Sequence, residues 1–171
     1  MSDVRGPRIG QGFDAHRLVG GRPLRLAGIE IPSERGLEGH SDGDVALHVV
    51  AAAILGALAE GDLGRHFPST DPAWAGADSA VLVAKAVERM RARGYGLGNL
   101  DLTIVAQTPR LAPHQSAMTS RLEDLLEVGP GCVNVKVTST DRMGAIGRGE
   151  GIAASAVVLL RDAGSAGGGR D

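Results

Sequence analysis

The most apolar stretch of the chain, Val45 to Ala59, places the strongest limit on its fold. It is shorter than the roughly 20 residues that a bilayer-spanning helix needs, and one histidine, His48, interrupts it. We therefore expect a buried helix of a soluble domain. Asp42 or Asp44 is expected to cap its N-terminus, and the helix should run to about Glu60.

Segments of strand-like and helix-like periodicity alternate along the rest of the chain. The predicted strands are Arg8 to His16, a short hairpin over Leu24 to Pro32, Asn99 to Ala106, Val133 to Thr138 and Gly151 to Leu160. Two further helices are predicted, one capped by Ser79 and ending at Gly94, the other from Pro113 to Val128. This mixture predicts an α/β fold of the α+β type, a single layered domain with helices on one face of a small sheet.

A long polar segment, 61–78, separates the first two predicted helices and is broken by proline. Loops of that length inside a compact domain are usually functional or mobile. The domain is expected to cover residues 1–162. The remaining residues, 163–171, are small and rich in glycine, so we expect them to form a disordered tail.

The charge and cysteine content argue against several classes of protein. The chain has 20 acidic and 18 basic residues and a net charge of −2, so it has no overall basic field to hold nucleic acid. Its one cysteine, Cys132, cannot form an internal disulfide, and Met1 to Pro7 contains no apolar stretch of the signal-peptide type. We expect a cytoplasmic protein with no nucleic-acid partner and no membrane partner.

Aspartate and histidine are concentrated in two segments near the N-terminus. Asp14 and His16 are two residues apart and should point to the same side of the first strand. His48 lies one helical turn after Asp44 and could carry a third ligand to the same point. One Asp, two His and an open fourth position are typical of a catalytic zinc-type site. The alternatives are a solvent-facing strand pair and a histidine satisfied within the core.

Three other segments carry groups suited to phosphate. His40 to Asp44 leads into a helix N-terminus, which favours anions. Thr138 to Asp141 follows a strand and offers hydroxyls and a carboxylate for a phosphate and a hard divalent ion. Gly147 to Gly151 places Arg148 among glycines that permit close backbone approach. Each segment alone is equally compatible with a helix cap, a strand end or a turn.

The order of these segments resembles that of the 2-C-methyl-D-erythritol 2,4-cyclodiphosphate synthases. The matching segments are Asp14-Ala15-His16, His40 to Asp44 with His48, Gly61 to Gly64, Phe67 to Asp71, Ala106 to Leu111 and Gly147 to Gly151. The resemblance extends from about Arg8 to Arg161. It implies a ferredoxin-like subunit and a homotrimer whose active sites lie between neighbouring subunits.

The resemblance also implies roles for residues of this sequence. Asp14, His16 and His48 would hold one divalent ion per subunit, of the zinc type, and a second ion, magnesium or manganese, would accompany the diphosphate near Asp141. His40 and Ser139 are the implied catalytic residues. The implied substrate-binding residues are Asp14, Ala15, His16, His40, Ser41, Asp62, Leu63, Gly64, Phe67, Pro68, Ser69, Thr70, Asp71, Ala106, Gln107, Thr108, Pro109, Arg110, Leu111, Ala112, Thr138, Ser139, Thr140, Asp141, Ala145 and Arg148.

The implied activity is an intramolecular cyclisation in the methylerythritol phosphate route to isoprenoid precursors. The 2-phosphate of 4-diphosphocytidyl-2-C-methyl-D-erythritol 2-phosphate attacks the β-phosphorus, forms the cyclic diphosphate and expels CMP. Two other hypotheses are a non-catalytic trimeric sensor of metals or anions and a metal-dependent phosphohydrolase. Three positions depart from the family pattern: Asp141 stands where glutamate is common, Ser139 where threonine is common, and Ala145 where a larger apolar residue occurs.

Overall fold

The computed structural model describes residues 6–74 and 76–164. Within them the strands are β1 (Arg8–Gly20), β2 (Leu24–Leu26), β3 (Ile29–Ile31), β4 (Arg35–Leu37), β5 (Tyr95–Val105), β6 (Val133–Thr138) and β7 (Gly151–Asp162). The helices are α1 (Val45–Ala57), α2 (Leu63–His66), α3 (Ser79–Ala92), α4 (Gln115–Leu126) and α5 (Gly144–Gly147), with 3₁₀ turns at Pro72–Trp74 and Ala112–His114. The resulting fold mixes a sheet with helices, as the sequence predicts.

A five-stranded sheet has the order β4-β1-β7-β5-β6, and β2 and β3 form a separate hairpin. Only the β5 and β6 pair of this sheet is parallel; the other neighbours are antiparallel. His16 of β1 lies opposite Ile152 at the start of β7, and the adjacent Ala153 lies opposite Val105 at the end of β5. Val105 in turn pairs with Thr138 at the end of β6. His16 and the carboxyl ends of β5 and β6 therefore lie along one end of the sheet.

The helices cover one face of the sheet. Helix α1 packs on β1 and β7, α3 packs on α1 and β5, and α4 packs on β6. From Ala154 onward, side chains of β7 follow the alternation that this arrangement requires, since Ala154, Ala156 and Val158 are buried whereas Val157 is exposed. The opposite face carries exposed apolar side chains, among them Ile9 and Phe13 of β1.

Two glycines of β1 bring α1 into direct backbone contact with the strand. A Cβ atom on Gly12 would lie 2.1 Å from the carbonyl oxygen of Val49, and one on Gly10 would lie 1.9 Å from that of Ala53. The spacing of the two contacts along the helix is close to their spacing along the strand. Four helical residues rise about 6 Å, and two strand residues rise about 6.8 Å. This close approach sets the height of α1 above β1 and brings His48 over Asp14 and His16 of the strand.

Most of the predicted elements are confirmed, with shifted ends. Strand β1 continues from His16 to Gly20, and β5 begins at Tyr95 instead of Asn99. The first helix ends at Ala57. The segment 61–78, predicted as a loop, contains α2 and a 3₁₀ turn. The tail prediction stays a prediction, because residues 165–171 lie outside the described part of the chain.

The prediction that Ser79 caps the second long helix is wrong. Asp78 is the N-cap, and its carboxylate accepts the N–H of Ala80 at 2.8 Å. Ser79 is instead the first helical residue and is fully buried. Among the described residues no helix combines the length and the apolar character that a membrane crossing needs.

Candidate functional site

Asp14, His16 and His48 meet at one point between β1 and α1. Asp14 and His16 project from the helix-covered side of β1, and His48 descends from α1. The Nε2 atom of His16 lies 2.8 Å from Oδ2 of Asp14. Nδ1 of His48 lies 3.2 Å from the same oxygen and 3.3 Å from Nε2 of His16. The structure thus brings together the three ligands predicted from the sequence, with all their ligand atoms within 4.8 Å of one another.

Both imidazole rings are oriented by hydrogen bonds at the nitrogen that faces away from this point. Nδ1 of His16 contacts the carbonyl oxygen of Glu38, so it carries the proton and leaves the lone pair of Nε2 for a ligand. Nε2 of His48 contacts the hydroxyls of Ser41 and Ser79 at 3.0 and 3.1 Å. One carboxylate oxygen and two imidazole nitrogens fit a zinc-type ion with an open position for substrate.

Proximity within the cluster shifts the pKa values of its members. Burial raises the pKa of Asp14, but its hydrogen bonds with His16 and His48 outweigh burial and bring that pKa well below its ordinary value. The hydrogen bond with Asp14 raises the pKa of His16, against the effect of burial. The cluster therefore keeps an ionised carboxylate beside its histidines, as a cation site requires.

Asp44 has a structural role next to this cluster. Its carboxylate caps α1 by accepting the N–H of Leu47 at 3.0 Å, and it also accepts the N–H groups of Ala27 and Gly28 at 2.9 and 2.7 Å. The carboxyl is fully buried, and burial raises its pKa. Asp44 thereby fixes the start of α1 to the turn of the β2–β3 hairpin, which confirms the cap predicted for it.

A cleft of about 170 Å³ opens beside the two histidines, and we call it the metal cleft. Its lining residues are His16, His40, Ser41, His48, Leu63, Phe67, Ser69, Trp74 and Leu82. Five of them were predicted as substrate-binding residues outside the metal ligands: His40, Ser41, Leu63, Phe67 and Ser69. Trp74 and Leu82 were missed, because the sequence gives no spacing that links them to the cluster.

The wall of the metal cleft formed by segment 61–78 is held by a ring contact. Phe67 and Trp74 meet edge to face with ring centroids 5.1 Å apart, and Lys85 lies 5.9 Å from the Trp74 ring. Asp62 caps α2 through the N–H of Arg65 at 3.0 Å. The other predicted residues of this segment, Gly64, Pro68, Thr70 and Asp71, lie outside the cleft lining, as does Asp62.

A second cleft, of about 320 Å³, lies at the carboxyl ends of β5 and β6, and we call it the strand-end cleft. Its lining residues are Ala106, Gln107, Pro109, Arg110, Leu111, Ala112, Val137, Thr138 and Ser139. All except Val137 were predicted. Thr108 faces a neighbouring cleft with Arg35 instead. Among the residues that the structure describes, the metal cleft and the strand-end cleft share no lining residue, although both occur at the same end of the sheet.

Of the remaining predicted residues, Thr140 and Asp141 lie in the turn after β6, Ala145 lies in α5 and Arg148 is the C-cap of α5. The Thr140 hydroxyl donates to the carbonyl oxygen of Met143 at 2.7 Å. The N–H of Asp141 donates to Ser139 Oγ at 3.3 Å, and Asp141 has a φ of 50°. Arg148 pairs with Glu150 at 2.6 Å, and both side chains are exposed to solvent. Ala145 and Arg148 line neither cleft within the chain.

The chain matches a known family over most of its length. A model of the YgbB family matches residues 7–161. The proteins called 2-C-methyl-D-erythritol 2,4-cyclodiphosphate synthase in Bacillus mycoides (strain KBAB4) and Bacillus anthracis (strain A0248) are each 58% identical to this chain over 154 residues. That alignment covers 90% of this chain and 98% of each relative.

Solved structures give the same result. The bifunctional IspDF of Campylobacter jejuni matches with a TM-score of 0.88 and 40% identity over 92% of this chain, which spans 42% of that longer protein. A 2C-methyl-D-erythritol-2,4-cyclodiphosphate synthase in its CDP-bound form matches with a TM-score of 0.83 and 39% identity, over 90% of this chain and 99% of the other. The CDP complex of IspF from Plasmodium falciparum matches with a TM-score of 0.81 and 29% identity, over 92% and 97%.

Proposed function

The chain belongs to the YgbB family, whose curated matches are 2-C-methyl-D-erythritol 2,4-cyclodiphosphate synthases, and we propose that the Asp14, His16 and His48 cluster is the centre of that activity here. The chain is thus an enzyme of the phosphorus–oxygen lyase type in the methylerythritol phosphate route to isoprenoid precursors. The observation that carries the proposed site is the convergence of one carboxylate oxygen and two imidazole nitrogens beside a cleft.

The proposed reaction needs no protein nucleophile. An oxygen of the 2-phosphate attacks the β-phosphorus of the same molecule and forms a new P–O bond, while the bond from the β-phosphorus to the oxygen of CMP breaks. The attacking phosphate oxygen is already ionised near neutral pH, so no base is needed to remove a proton. The enzyme has to hold the polyanionic substrate folded, with the attacking oxygen, the β-phosphorus and the leaving oxygen in line. Such positioning contributes on the order of 7 to 11 kcal/mol in favourable cases.

We assign the first ion, of the zinc type, to Asp14, His16 and His48, and a second, magnesium or manganese, to the diphosphate near Asp141. When bound, these ions neutralise phosphate oxygens and stabilise the charge that develops around phosphorus. Asp14 has the ionised carboxylate that the first position requires, since its pKa lies well below the ordinary value. Asp141 is exposed in its turn and accessible to a ligand from outside the chain.

The two clefts divide the proposed substrate between them. His40 and Ser41 in the metal cleft would bind the phosphate end, and Leu63 and Phe67 would cover the methylerythritol carbons. The strand-end cleft, including the predicted segment Ala106 to Ala112, would take the cytidine diphosphate side. Solved relatives with CDP bound support a nucleotide ligand. We propose His40 and Ser139 as the groups that stabilise the transition state.

We further propose a ferredoxin-like subunit that assembles into a homotrimer, with each active site formed between neighbouring subunits. The support is the uncovered face of the sheet, where Ile9 is 72% exposed, Phe13 69% and Val157 43%. Apolar side chains gathered on one face mark a protein interface. The two clefts have no lining residue in common within residues 6–74 and 76–164, which also fits a site in which one cleft faces another subunit. A cytoplasmic location stays a prediction of the sequence.

The test is ³¹P NMR of the purified protein with 4-diphosphocytidyl-2-C-methyl-D-erythritol 2-phosphate, zinc and magnesium. We expect paired resonances of a cyclic diphosphate to appear together with CMP and to stop growing after chelation. Release of inorganic phosphate would favour a phosphohydrolase. Unchanged substrate in the presence of bound zinc would contradict the proposed catalytic centre and leave a binding protein, an alternative that no relative supports.

A further inference from the structure

We propose that Asp42 and Ser79 are positioning residues that hold His48 in the tautomer with Nδ1 free to bind the ion. The proposal rests on the proposed function, because it presumes a metal at the Asp14, His16 and His48 cluster. Neither residue lines the metal cleft or belongs to the cluster itself. Ser79 comes from the first turn of α3 and Asp42 from the segment before α1, so two distant parts of the chain converge behind one histidine.

The far nitrogen of His48 contacts two hydroxyl groups. Ser41 Oγ lies 3.0 Å and Ser79 Oγ 3.1 Å from Nε2, and the two oxygens are 3.2 Å apart. All three side chains are buried. Buried polar atoms satisfy their hydrogen bonds with protein groups in reach, so the donors and acceptors of this group have to match one another.

Asp42 sets the direction of these hydrogen bonds. One of its carboxylate oxygens lies 2.5 Å from Ser79 Oγ, and the other accepts the N–H of Ser79 at 3.2 Å. A carboxylate only accepts hydrogen bonds. The hydroxyl proton of Ser79 therefore points to Asp42, and the lone pairs of Ser79 Oγ point to His48 and Ser41.

This direction favours a proton on Nε2 of His48. A lone pair on Nε2 would face the lone pairs of Ser79 Oγ across 3.1 Å, which is repulsive. A proton on Nε2 is accepted by Ser79 or Ser41, and the Ser41 hydroxyl is then free to donate to Ser79 Oγ. Ser41 alone could donate to an unprotonated Nε2, but Ser79 Oγ would then face that nitrogen with no proton between them, so the pair of Asp42 and Ser79 favours the proton on Nε2. With Nε2 as its donor to the hydroxyls, His48 can give up the proton that Nδ1 shares with Asp14 across 3.2 Å and present a lone pair to an ion there.

The same hydrogen bonds tie the metal cluster to the end of the segment that walls the metal cleft. The N–H of Asp42 donates to the carbonyl oxygen of Ala77 at 3.0 Å, and Ser79 follows two residues later. Partners of this kind typically contribute about 10- to 100-fold to metal affinity, because they orient the ligand before the metal arrives. We expect that range for the loss of either Ser79 or Asp42.

The experiment measures zinc affinity by competition with a chromogenic chelator for the full chain and for Ser79→Ala and Asp42→Asn. It also records the ¹⁵N chemical shifts of the His48 ring in the zinc-free protein, which distinguish the two tautomers. We expect both variants to lose about 10- to 100-fold in affinity and to shift His48 toward the form protonated on Nδ1. Ser79→Thr retains the hydroxyl and should restore both readouts.

Asp78→Ala is the matched control. It removes the N-cap of α3 one residue away from Ser79 without touching His48, so it weakens the same helix end but not the hydrogen bonds. An equal loss of zinc affinity in Asp78→Ala would overturn the proposal in favour of general loosening of α3. Should Ser79→Ala fail to fold by circular dichroism, Asp42→Asn and Ser79→Thr still decide the question.

Measurements on the wild-type protein distinguish failure of the proposed metal centre from failure of the positioning role. If the wild-type protein binds no zinc, the metal centre of the proposed function fails. If the wild type binds zinc and Asp42→Asn matches it in affinity and in the His48 spectrum, Ser41 alone suffices and the positioning role of Asp42 and Ser79 is overturned.

Discussion

The metal cleft and the strand-end cleft are built in opposite ways. Behind the metal cleft, His48, Ser41 and Ser79 are buried and bonded to one another across more than thirty residues of sequence. Around the strand-end cleft, Ser139 is exposed and its hydroxyl bonds only within its own turn, to Asp141. The first region is organised within a single chain. The second presents exposed polar groups that remain accessible to a ligand from outside the chain.

This difference predicts that substitutions in the two regions will alter different measured quantities. Changes at the metal cleft should alter metal affinity and chemistry together, since its side chains hold one another in place. Changes at the strand-end cleft should lower turnover and leave the metal cluster as it is. Changes to the uncovered face of the sheet should leave both clefts of each chain intact but prevent the proposed association of subunits.

The largest effect is expected for His48→Ala. Removing one of three ligands should lower CMP release roughly 1,000-fold, because the ion contributes several kcal/mol of charge stabilisation. Zinc affinity measured with a chelator should fall with it. The control is His114→Ala, which removes a histidine that does not belong to the cluster and should retain zinc binding. Normal turnover by a His48→Ala protein without zinc would contradict the assignment.

The next effect is expected for Phe13→Glu, which places a charge on the uncovered face of β1. We expect monomers by light scattering and at least about a 100-fold loss of turnover, since a 1 Å misplacement of catalytic groups already costs about that much. Zinc affinity should be unchanged, because Phe13 points away from the cluster. Val81→Glu, a charge at an exposed apolar side chain of α3, is the matched control. A fully active Phe13→Glu monomer would contradict a site shared between subunits.

Gly12→Ala tests how the metal cleft depends on the contact between α1 and β1. The new Cβ would meet the carbonyl oxygen of Val49 at 2.1 Å, so α1 has to move away from the strand. We expect a loss of about 3 kcal/mol in the free energy of unfolding, measured by urea denaturation, and weaker zinc binding as His48 withdraws from Asp14. Gly20→Ala in the same strand has open space around it and should leave both quantities near the wild-type values.

The convergence of Asp14, His16 and His48 could be predicted from the sequence because each position depends on a local period. Two-residue spacing places Asp14 and His16 on one side of a strand, and a helix carries His48. The partners of His48 could not be found in this way. Asp78 and Ser79 are adjacent and both are good cap residues, so only the packing of α3 decides that Asp78 caps the helix and Ser79 turns inward. The grouping of Trp74 and Leu82 at the metal cleft likewise depends on tertiary contacts.

The smallest effect is expected for Ser139→Ala, and it separates the two clefts most cleanly. The hydroxyl of Ser139 lies in the strand-end cleft and makes no contact with the metal cluster. A hydrogen bond to a charged group contributes about 2 kcal/mol, so we expect turnover to fall about 30-fold. Zinc affinity and thermal stability should stay at wild-type values, because the side chain is exposed and its bonds are local. Ser139→Thr should restore turnover, since it keeps the hydroxyl. A drop in zinc affinity in Ser139→Ala would show that the strand-end cleft and the metal cluster are coupled within one chain, and the division of labour between the two clefts would then be wrong.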